Sequence, residues 1–389
     1  MVGDVSASRV ATRLPSLAGL RFVCAIAVFS AHAYVTLAFS GDWTGTPATV
    51  LLIIGRSALS FFFVLSGFVM AWSARLGDTA SAFWRRRAAR IYPTHVLTWC
   101  AALILIFSNG GTVSAGDAVT NLFLLHTWVP NFAVNNSVNV VSWSLSCEVF
   151  FYLCFPLLYR FLQRIPIQRL WVSTAGTVLA VIALPWVTSM VFASRPKFLP
   201  FDVTYDQYWF VYLFPLARVL EFVLGILLAL VVREGRWLKV RFWYVVVSLL
   251  VAYPLADKVP YLYSITAVLI IPVALLVLAG AGADIRGSSS LVRGRLAVKL
   301  GDVTFAFYMV HLLVLTYAYQ LLNDGHRASA GGRLGAAAVL FVVSWVLAWV
   351  VHRFVEAPLS RRWGSRRPPR PRRTPPSAAP RTQPDSVAG

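Results

Sequence analysis

Long apolar runs recur along the whole chain and constrain its fold more than any other feature. A helix that crosses the hydrocarbon core of a bilayer needs about 20 apolar residues. Runs of roughly that length lie at 15–39, 48–73, 91–107, 143–161, 170–193, 209–232, 241–257, 261–280, 296–322 and 333–356. Because a bilayer core leaves unpaired backbone groups unsolvated, we predict an all-α integral membrane protein, a bundle of about ten transmembrane helices.

The composition supports lipid as the main solvent of this chain. Hydrophobic residues make up 58% of the 389 residues and charged residues only 13%, and the mean hydropathy is +0.69. A water-soluble domain of this size could not hide so much apolar surface in its core. We therefore expect a multi-pass membrane protein, with the lipid bilayer among its partners.

The net charge of +20 raises the possibility of nucleic-acid binding, which the distribution of basic residues argues against. Arginines and lysines concentrate in the N-terminus, the even-numbered loops and the C-terminal tail. The odd-numbered loops hold only Arg195, Lys197, Lys258, Arg327 and Arg333. By the positive-inside rule, this alternation predicts cytoplasmic N- and C-termini and no nucleic-acid partner.

Composition also divides the chain. We predict a cytoplasmic N-terminal segment at 1–13, a membrane domain at 14–357, and a disordered cytoplasmic tail rich in Pro and Arg at 358–389,. An alternative for the first run is a secretory signal with an Ala31-His32-Ala33 cleavage site, but the run is long and contains Arg21,. The four cysteines lie in apolar runs without CxxC spacing, which predicts inert thiols and no metal site,.

Ionisable side chains inside a span each cost about 2.5–3.5 kcal/mol on insertion scales and therefore need a partner, a wet cavity or a function. The clearest cases in this chain are Arg21, His32, Glu148, Arg218, Glu221 and His311. These six residues are the first candidates for a functional site.

Arg21 and His32 share one face of the first predicted helix. They are eleven residues apart, which places them within about 20° of each other and roughly 16 Å apart along the axis. A cation near the cytoplasm and a deeper imidazole suit a long anionic cofactor whose reactive end is remote from its charges. The alternative is that Arg21 reaches the headgroups and His32 bonds a neighbouring helix.

The other intramembrane ionisable groups differ in whether a residue on their own helix can pair with them. Arg218 and Glu221 are three residues apart and can neutralise each other, which favours a structural role. Glu148 has no cation nearby on its helix and needs a partner across the bundle, so it could orient a histidine or bind a hydroxyl. His311 follows Tyr308 by one turn. A core histidine with a satisfied hydrogen bond therefore explains this position as well as a functional histidine does.

The segment FWRRRAARIYP places Arg87 and Arg90 three residues apart, on one face if the segment is helical. Guanidinium groups so placed suit phosphate recognition. The alternative is an arginine cluster that only sets the topology.

Seven sequence blocks, in order, resemble the membrane acyltransferase family 3. They are LPSLAGLRFVCAIAVFSAHAY, SFFFVLSGFVMA, RRRAARIYP, WSLSCEVFFYLCFPLL, RVLEFVLGILLA, FAFYMVHLLVL and VEAPLS. Members of this family O-acylate cell-surface glycans and, in actinomycetes, macrolides and related metabolites. The chain departs from the pattern at Cys147, where a small or aliphatic residue is more usual.

The resemblance implies roles for individual residues. His32 would be the catalytic histidine with Arg21 as its companion, and Arg87 and Arg90 would contact the phosphates of coenzyme A. We extend the catalytic set to Glu148. The remaining assignments are Arg86 to the coenzyme, and His311, Ser66 and Tyr308 to the substrate.

The chemistry follows from these residues. An alcohol that attacks a thioester needs a base, and His32 as a neutral imidazole can take the proton. The oxyanion needs a donor, for which Arg21, a backbone N–H near a broken turn at Gly67, or an unidentified residue are candidates. Direct transfer is the first hypothesis, and a covalent acyl-histidine or an acyl-serine at Ser66 is the second.

We therefore predict an O-acyltransferase that uses acyl-CoA as co-substrate and has no permanently bound cofactor. The acceptor would be a hydroxyl of a macrolide-type natural product or its sugar, with acetyl or another short acyl group transferred. Alternatives are an O-acetyltransferase of a cell-surface glycan, a transporter that uses the same charges as a substrate pathway, and a structural scaffold in which His32 is dispensable.

Overall fold

The computed structural model describes residues 14–38, 46–74, 77–192, 202–235, 239–288, 290–322 and 329–364. Within these residues the regular structure is helical, with no β-strand. The predicted N-terminal segment 1–13 and the tail beyond 364 lie outside the described residues. The predicted all-α class is confirmed.

Within the described ranges, ten long helices follow the ten predicted runs. They are α1 Pro15–Ala38, α2 Thr46–Trp72, α3 Ala80–Ser108, α4 Ser142–Leu162, α5 Leu170–Val191, α6 Pro215–Arg233, α7 Phe242–Lys258, α8 Ile270–Ile285, α9 Arg295–Leu313 and α10 Ala330–Val351. Short helices at Ala115–Leu122, Phe132–Asn135, Tyr205–Tyr208, Tyr261–Ile265 and Tyr319–Leu322 lie in the connections.

Within the described residues, nine helical segments are long and apolar enough to cross a membrane. The prediction of about ten spans is thus supported for nine. The exception is α7, whose 17 residues extend about 26 Å at 1.5 Å per residue, slightly less than the roughly 30 Å hydrocarbon core.

Burial separates a central helix from helices that face lipid. The span that contains α6 is 78% buried, whereas the last span is 17% buried. Leu179, Leu250 and Val346, on α5, α7 and α10, are more than half exposed. Because such apolar side chains would be unfavourable in water, they indicate an outer surface solvated by acyl chains.

Two glycines bring α2 and α6 into backbone contact. A Cβ on Gly67 would lie 2.0 Å from the carbonyl oxygen of Phe222, and a Cβ on Gly225 would lie 1.9 Å from that of Val64. Small residues at such crossings allow close packing of helices in membranes. The prediction of a broken turn at Gly67 is wrong: α2 continues through it, so its N–H belongs to the helix ladder,.

A buried ion pair on α6 adds to the contact between α2 and α6. An Nη of Arg218 lies 3.0 Å from a carboxylate oxygen of Glu221, and the hydroxyl of Ser60 on α2 donates to that carboxylate at 2.9 Å. The guanidinium also lies 4.9 Å from the ring centre of Phe63. The predicted pairing of Arg218 with Glu221 is confirmed, and their structural role stays a prediction.

Several helix boundaries differ from the prediction, and two of the differences change which elements are in contact. The third run was placed at 91–107, but α3 begins at Ala80, where the Thr79 side chain accepts a hydrogen bond from the Ala82 N–H,. At the other end, α11 (Ala357–Gly364) covers the first part of the segment predicted to be a disordered tail. The Ser360 hydroxyl donates to the Ala89 carbonyl at 3.3 Å, so contact with α3 holds this part.

Candidate active site

A cavity of about 260 Å³ lies among α1, α2, α3, α4 and α9. It collects most of the residues that the sequence nominated. These are Arg21, Ser66, Arg87, Arg90, Glu148 and Tyr308. We call this space the arginine cavity.

Three guanidinium groups and one carboxylate set the charge of the arginine cavity. Arg87 and Arg90 share a face of α3, as their spacing predicted for a helix, and Arg21 joins them from α1. Glu148 lines the same cavity, and the fields of these three arginines all act on its carboxylate. Glu148 therefore shares the cavity with cations of α1 and α3, and the surplus positive charge suits an anionic ligand,.

Arg87 retains hydrogen-bonding capacity in this arrangement. Its buried Nε has no hydrogen-bond partner within the described part of the chain. Its guanidinium lies 5.6 Å from the ring centre of Phe83 and 5.8 Å from that of Tyr152. The aromatic rings thus hold the group while leaving a donor unused.

The structure separates Arg86 from its predicted partners. It forms an ion pair with Asp78 and is not among the residues that line the cavity. The prediction that Arg86 contacts the coenzyme gains no support from this geometry, because its charge is already neutralised at the start of α3.

His32 and His311 form a hydrogen-bonded pair outside the arginine cavity. The Nδ1 of His32 lies 2.9 Å from the Nε2 of His311. The Nδ1 of His311 lies 2.7 Å from the carbonyl oxygen of Tyr308. His311 is fully buried, whereas His32 is partly exposed. We call these two residues the histidine pair.

Tyr308 connects the two regions. Its side chain lines the arginine cavity, while its carbonyl oxygen holds His311. Its hydroxyl accepts a hydrogen bond from Ser144 at 2.7 Å and donates one to the Val141 carbonyl at 3.0 Å. Because the hydroxyl already has protein partners, Tyr308 fixes α9 against α4, and the histidine pair lies one turn beyond the cavity wall.

Two residues near the site were missed by the sequence reasoning. Tyr152 follows Glu148 by four residues on α4, a spacing that places both on one helix face. Arg56 was not counted among the intramembrane charges, although it lies inside the span Val50–Trp72. The signal for Arg56 was present, because a single cation interrupts an apolar run.

Arg56 lies on the cavity-lining face of α2, beyond the residues that line the cavity itself. It precedes the cavity-lining residues Leu59, Phe63 and Ser66 at steps of three and four residues, so all four share a face of α2,. Its guanidinium donates to the Tyr261 hydroxyl at 2.8 Å. A Cβ on the preceding Gly55 would lie 2.5 Å from that of Ala31, which places Arg56 at the depth of His32.

The fold and site together define a polytopic helical membrane protein with a cationic cavity and an adjacent histidine pair inside the bundle. A family model described as "Acyltransferase domain" matches residues 14–353. The chain belongs to this family, acyltransferase family 3, as the sequence blocks predicted.

Curated relatives extend the match over most of the chain. The chain is 41% identical over 369 residues to "Acyltransferase MdmB" of Streptomyces mycarofaciens, covering 92% of this chain and 94% of that protein. It is 25% identical over 327 residues to "Nodulation protein 10" of Rhizobium leguminosarum bv. viciae, covering 79% and 84%.

A shorter match joins the chain to "O-acetyltransferase OatA" of Staphylococcus aureus, with 26% identity over 200 residues that cover 45% of this chain and 30% of that protein. No solved structure matches.

Proposed function

We propose that this protein is an O-acyltransferase that moves a short acyl group from acyl-CoA to a hydroxyl of a macrolide-type natural product or its sugar. Membership of the acyltransferase family supports the reaction class. The match to a Streptomyces acyltransferase along nearly its whole length favours an actinomycete-type acceptor over a surface glycan. The protein would be a multi-pass component of the bacterial plasma membrane with both termini in the cytoplasm.

The arginine cavity is the observation that carries the choice of donor. Three guanidinium groups face one carboxylate there, so phosphate oxygens of coenzyme A would find unneutralised charge and unused N–H donors. Arg21 and His32 are roughly 16 Å apart along α1, a distance that an extended pantetheine arm can span. The thioester would then reach the histidine pair while the phosphates stay with Arg87 and Arg90.

The reaction itself needs a base, an electrophile and a leaving group. His32 takes the proton of the acceptor hydroxyl as its oxygen attacks the thioester carbonyl, and a tetrahedral oxyanion forms. The carbonyl then re-forms, the carbon–sulfur bond breaks, and the departing thiolate takes the proton from His32. The products are an ester and free coenzyme A, with no acyl-enzyme at Ser66 required.

Arg56 is our proposed partner for the oxyanion. Arg21 lies in the arginine cavity, too far along α1 from His32, and the N–H of Gly67 belongs to a continuous helix. Arg56 has the depth of His32 and lies on the face of α2 that lines the cavity. A guanidinium there can donate to charge that develops at the carbonyl oxygen.

Acyl transfer can be measured with the purified protein in detergent, labelled acetyl-CoA, and a panel of macrolides, free sugars and glycan fragments. We expect labelled ester and free thiol in equal amounts with a macrolide or its sugar, and neither with His32→Ala. Esterification of glycan fragments alone would indicate that the acceptor is a cell-surface glycan. Uptake into vesicles that survives His32→Ala without thiol release would reject the enzyme and support a transporter.

A further inference from the structure

The carbonyl oxygen of Tyr308 determines where the protons of the histidine pair lie. It is 2.7 Å from the Nδ1 of His311, and a carbonyl oxygen can only accept a hydrogen bond. The Nδ1 of His311 must therefore carry the hydrogen. A neutral imidazole has a single N–H, so the Nε2 of His311 presents a lone pair.

The surroundings of His311 support the neutral form. The ring is fully buried, stacks on Phe307 with centroids 5.6 Å apart, and has Phe29 at 6.3 Å. No carboxylate forms an ion pair with it among the described side chains. A second proton on His311 would place an uncompensated charge in an apolar environment.

The lone pair on His311 then fixes the proton of His32. The Nδ1 of His32 is 2.9 Å from the Nε2 of His311, a distance at which two lone pairs would repel. The Nδ1 of His32 must donate, so its Nε2 carries no hydrogen. In the described part of the chain, the hydrogen bond through Nδ1 is the only one of His32, and the side chain is partly exposed.

We infer that His311 is a positioning residue that holds His32 in the tautomer with the hydrogen on Nδ1, so that Nε2 is the basic atom of the acyl transfer. This inference rests on the proposed function. When Nε2 takes the acceptor proton, His32 becomes an imidazolium whose Nδ1–H still donates to His311. That hydrogen bond strengthens with the charge, and no proton needs to pass to His311.

The arrangement assigns to a neutral imidazole the part that a carboxylate plays in a Ser-His-Asp triad. The membrane gives a physical reason for this choice. A carboxylate beside His32 would carry an unneutralised charge through every step in which the histidine is neutral, and such a charge is costly inside a span. His311 accepts the same hydrogen bond without that cost.

Two variants of His311 separate positioning from packing. His311→Phe fits the aromatic surroundings but removes the acceptor, so we expect kcat to fall on the order of 10²-fold to 10³-fold while KM for acyl-CoA is unchanged. His311→Gln offers an amide oxygen to the same N–H, and we expect its kcat to exceed that of His311→Phe at least about tenfold. Equal kcat values for wild type, His311→Phe and His311→Gln would overturn the inference.

The tautomer can also be observed without any change at His311. The chain has six histidines, and comparison with His32→Asn assigns the signals of His32 in the ¹⁵N NMR spectrum of labelled protein in detergent. We expect a protonated Nδ1 and an unprotonated Nε2 for His32, and a mixture of tautomers in His311→Phe. A protonated Nε2 in the neutral wild-type ring would contradict the assignment even if the variants failed to fold.

The two proposals fail in different ways. Acyl transfer that persists in His32→Ala would reject His32 as the base and with it the proposed function. Acyl transfer abolished by His32→Ala but untouched by His311→Phe would keep the enzyme and reject the positioning role alone.

Discussion

The arginine cavity and the histidine pair are neighbours with opposite electrostatic character. The cavity gathers charges from α1, α3 and α4, and among the described residues the Nε–H of Arg87 has no hydrogen-bond partner. The histidine pair joins two uncharged rings through one hydrogen bond, with aromatic side chains around His311. Binding phosphates requires surplus positive charge, whereas a base must stay unprotonated until its substrate arrives. The difference predicts that changes in the cavity act on KM and changes at the pair act on kcat.

Removal of the base tests this division most severely. We expect His32→Ala to lower kcat by about 10³-fold or more, because both general-base catalysis and orientation of the hydroxyl are lost. KM for acyl-CoA should stay within about threefold, since the proposed phosphate site lies in the arginine cavity. Initial rates of thiol release measure both quantities. A rise in KM of the same size as the fall in kcat would show that His32 also contributes to binding of acyl-CoA. The division of roles between the two regions would then be wrong.

The proposed oxyanion partner should resemble the histidine pair in its kinetic effect. We expect Arg56→Gln to lower kcat by about 10²-fold, the usual size for loss of one such donor, and Arg56→Lys to retain part of the activity. Binding of acyl-CoA should be unaffected in both variants. If Arg56→Gln instead weakened acyl-CoA binding, the residue would belong with the arginine cavity.

The cavity arginines should show the opposite signature. For Arg87→Ala combined with Arg90→Ala, we expect KM for acyl-CoA to rise about 10-fold to 100-fold, as two charge-assisted contacts are lost, with kcat nearly unchanged. Arg86→Ala is the matched control, because this neighbouring arginine pairs with Asp78 outside the cavity. Unchanged kinetics in the double variant would reject the phosphate role.

Tyr308 lies at the boundary, and its hydroxyl distinguishes structure from substrate binding. Tyr308→Phe leaves the carbonyl that holds His311 but removes the partner of Ser144 and Val141. We expect the free energy of unfolding to fall by about 1–3 kcal/mol and kcat and KM to change by less than about threefold. Thermal melting and initial rates measure these effects. A large rise in KM for the acceptor would restore the predicted substrate contact.

His126 provides a buried imidazole outside both regions. It lies in the connection before α4, with its Nε2 3.3 Å from the Ser142 hydroxyl. Burial, followed by the field of His95, lowers the pKa of His126 to about 3. The unfolded chain binds the proton near the ordinary pKa of about 6.5. Stability is therefore full above that pH and decreases as pH falls from about 6.5 toward about 3, by roughly 1.4 kcal/mol per pH unit.

The matched variant isolates this dependence. We expect His126→Gln to weaken the pH dependence of the melting temperature between pH 7.5 and 5.5, conditions chosen around the ordinary histidine pKa of about 6.5, without changing kcat at the upper end. An identical pH dependence in wild type and variant would show that other groups dominate. A loss of kcat would give His126 a role in the reaction.

Much of this protein could be predicted one helix at a time. Runs of about 20 apolar residues located ten helices. The spacing of charged residues within a helix placed Arg21 with His32, and Arg87 with Arg90, on common faces. These predictions succeed because a helix turns by 100° per residue wherever it forms. The prediction of a broken turn at Gly67 failed because a glycine inside an apolar run is equally suited to a helix crossing.

The sequence by itself determined that lipid solvates this chain, that its elements are helices, and which family it belongs to, because these properties are local or additive along the chain. Only the tertiary structure decided that Glu148 shares a cavity with cations of α1 and α3, and that His311 accepts a hydrogen bond from His32. Those contacts join residues far apart in the sequence. They depend on how the helices cross, which backbone contacts such as those of Gly67 and Gly225 establish and which no periodicity within a single helix encodes.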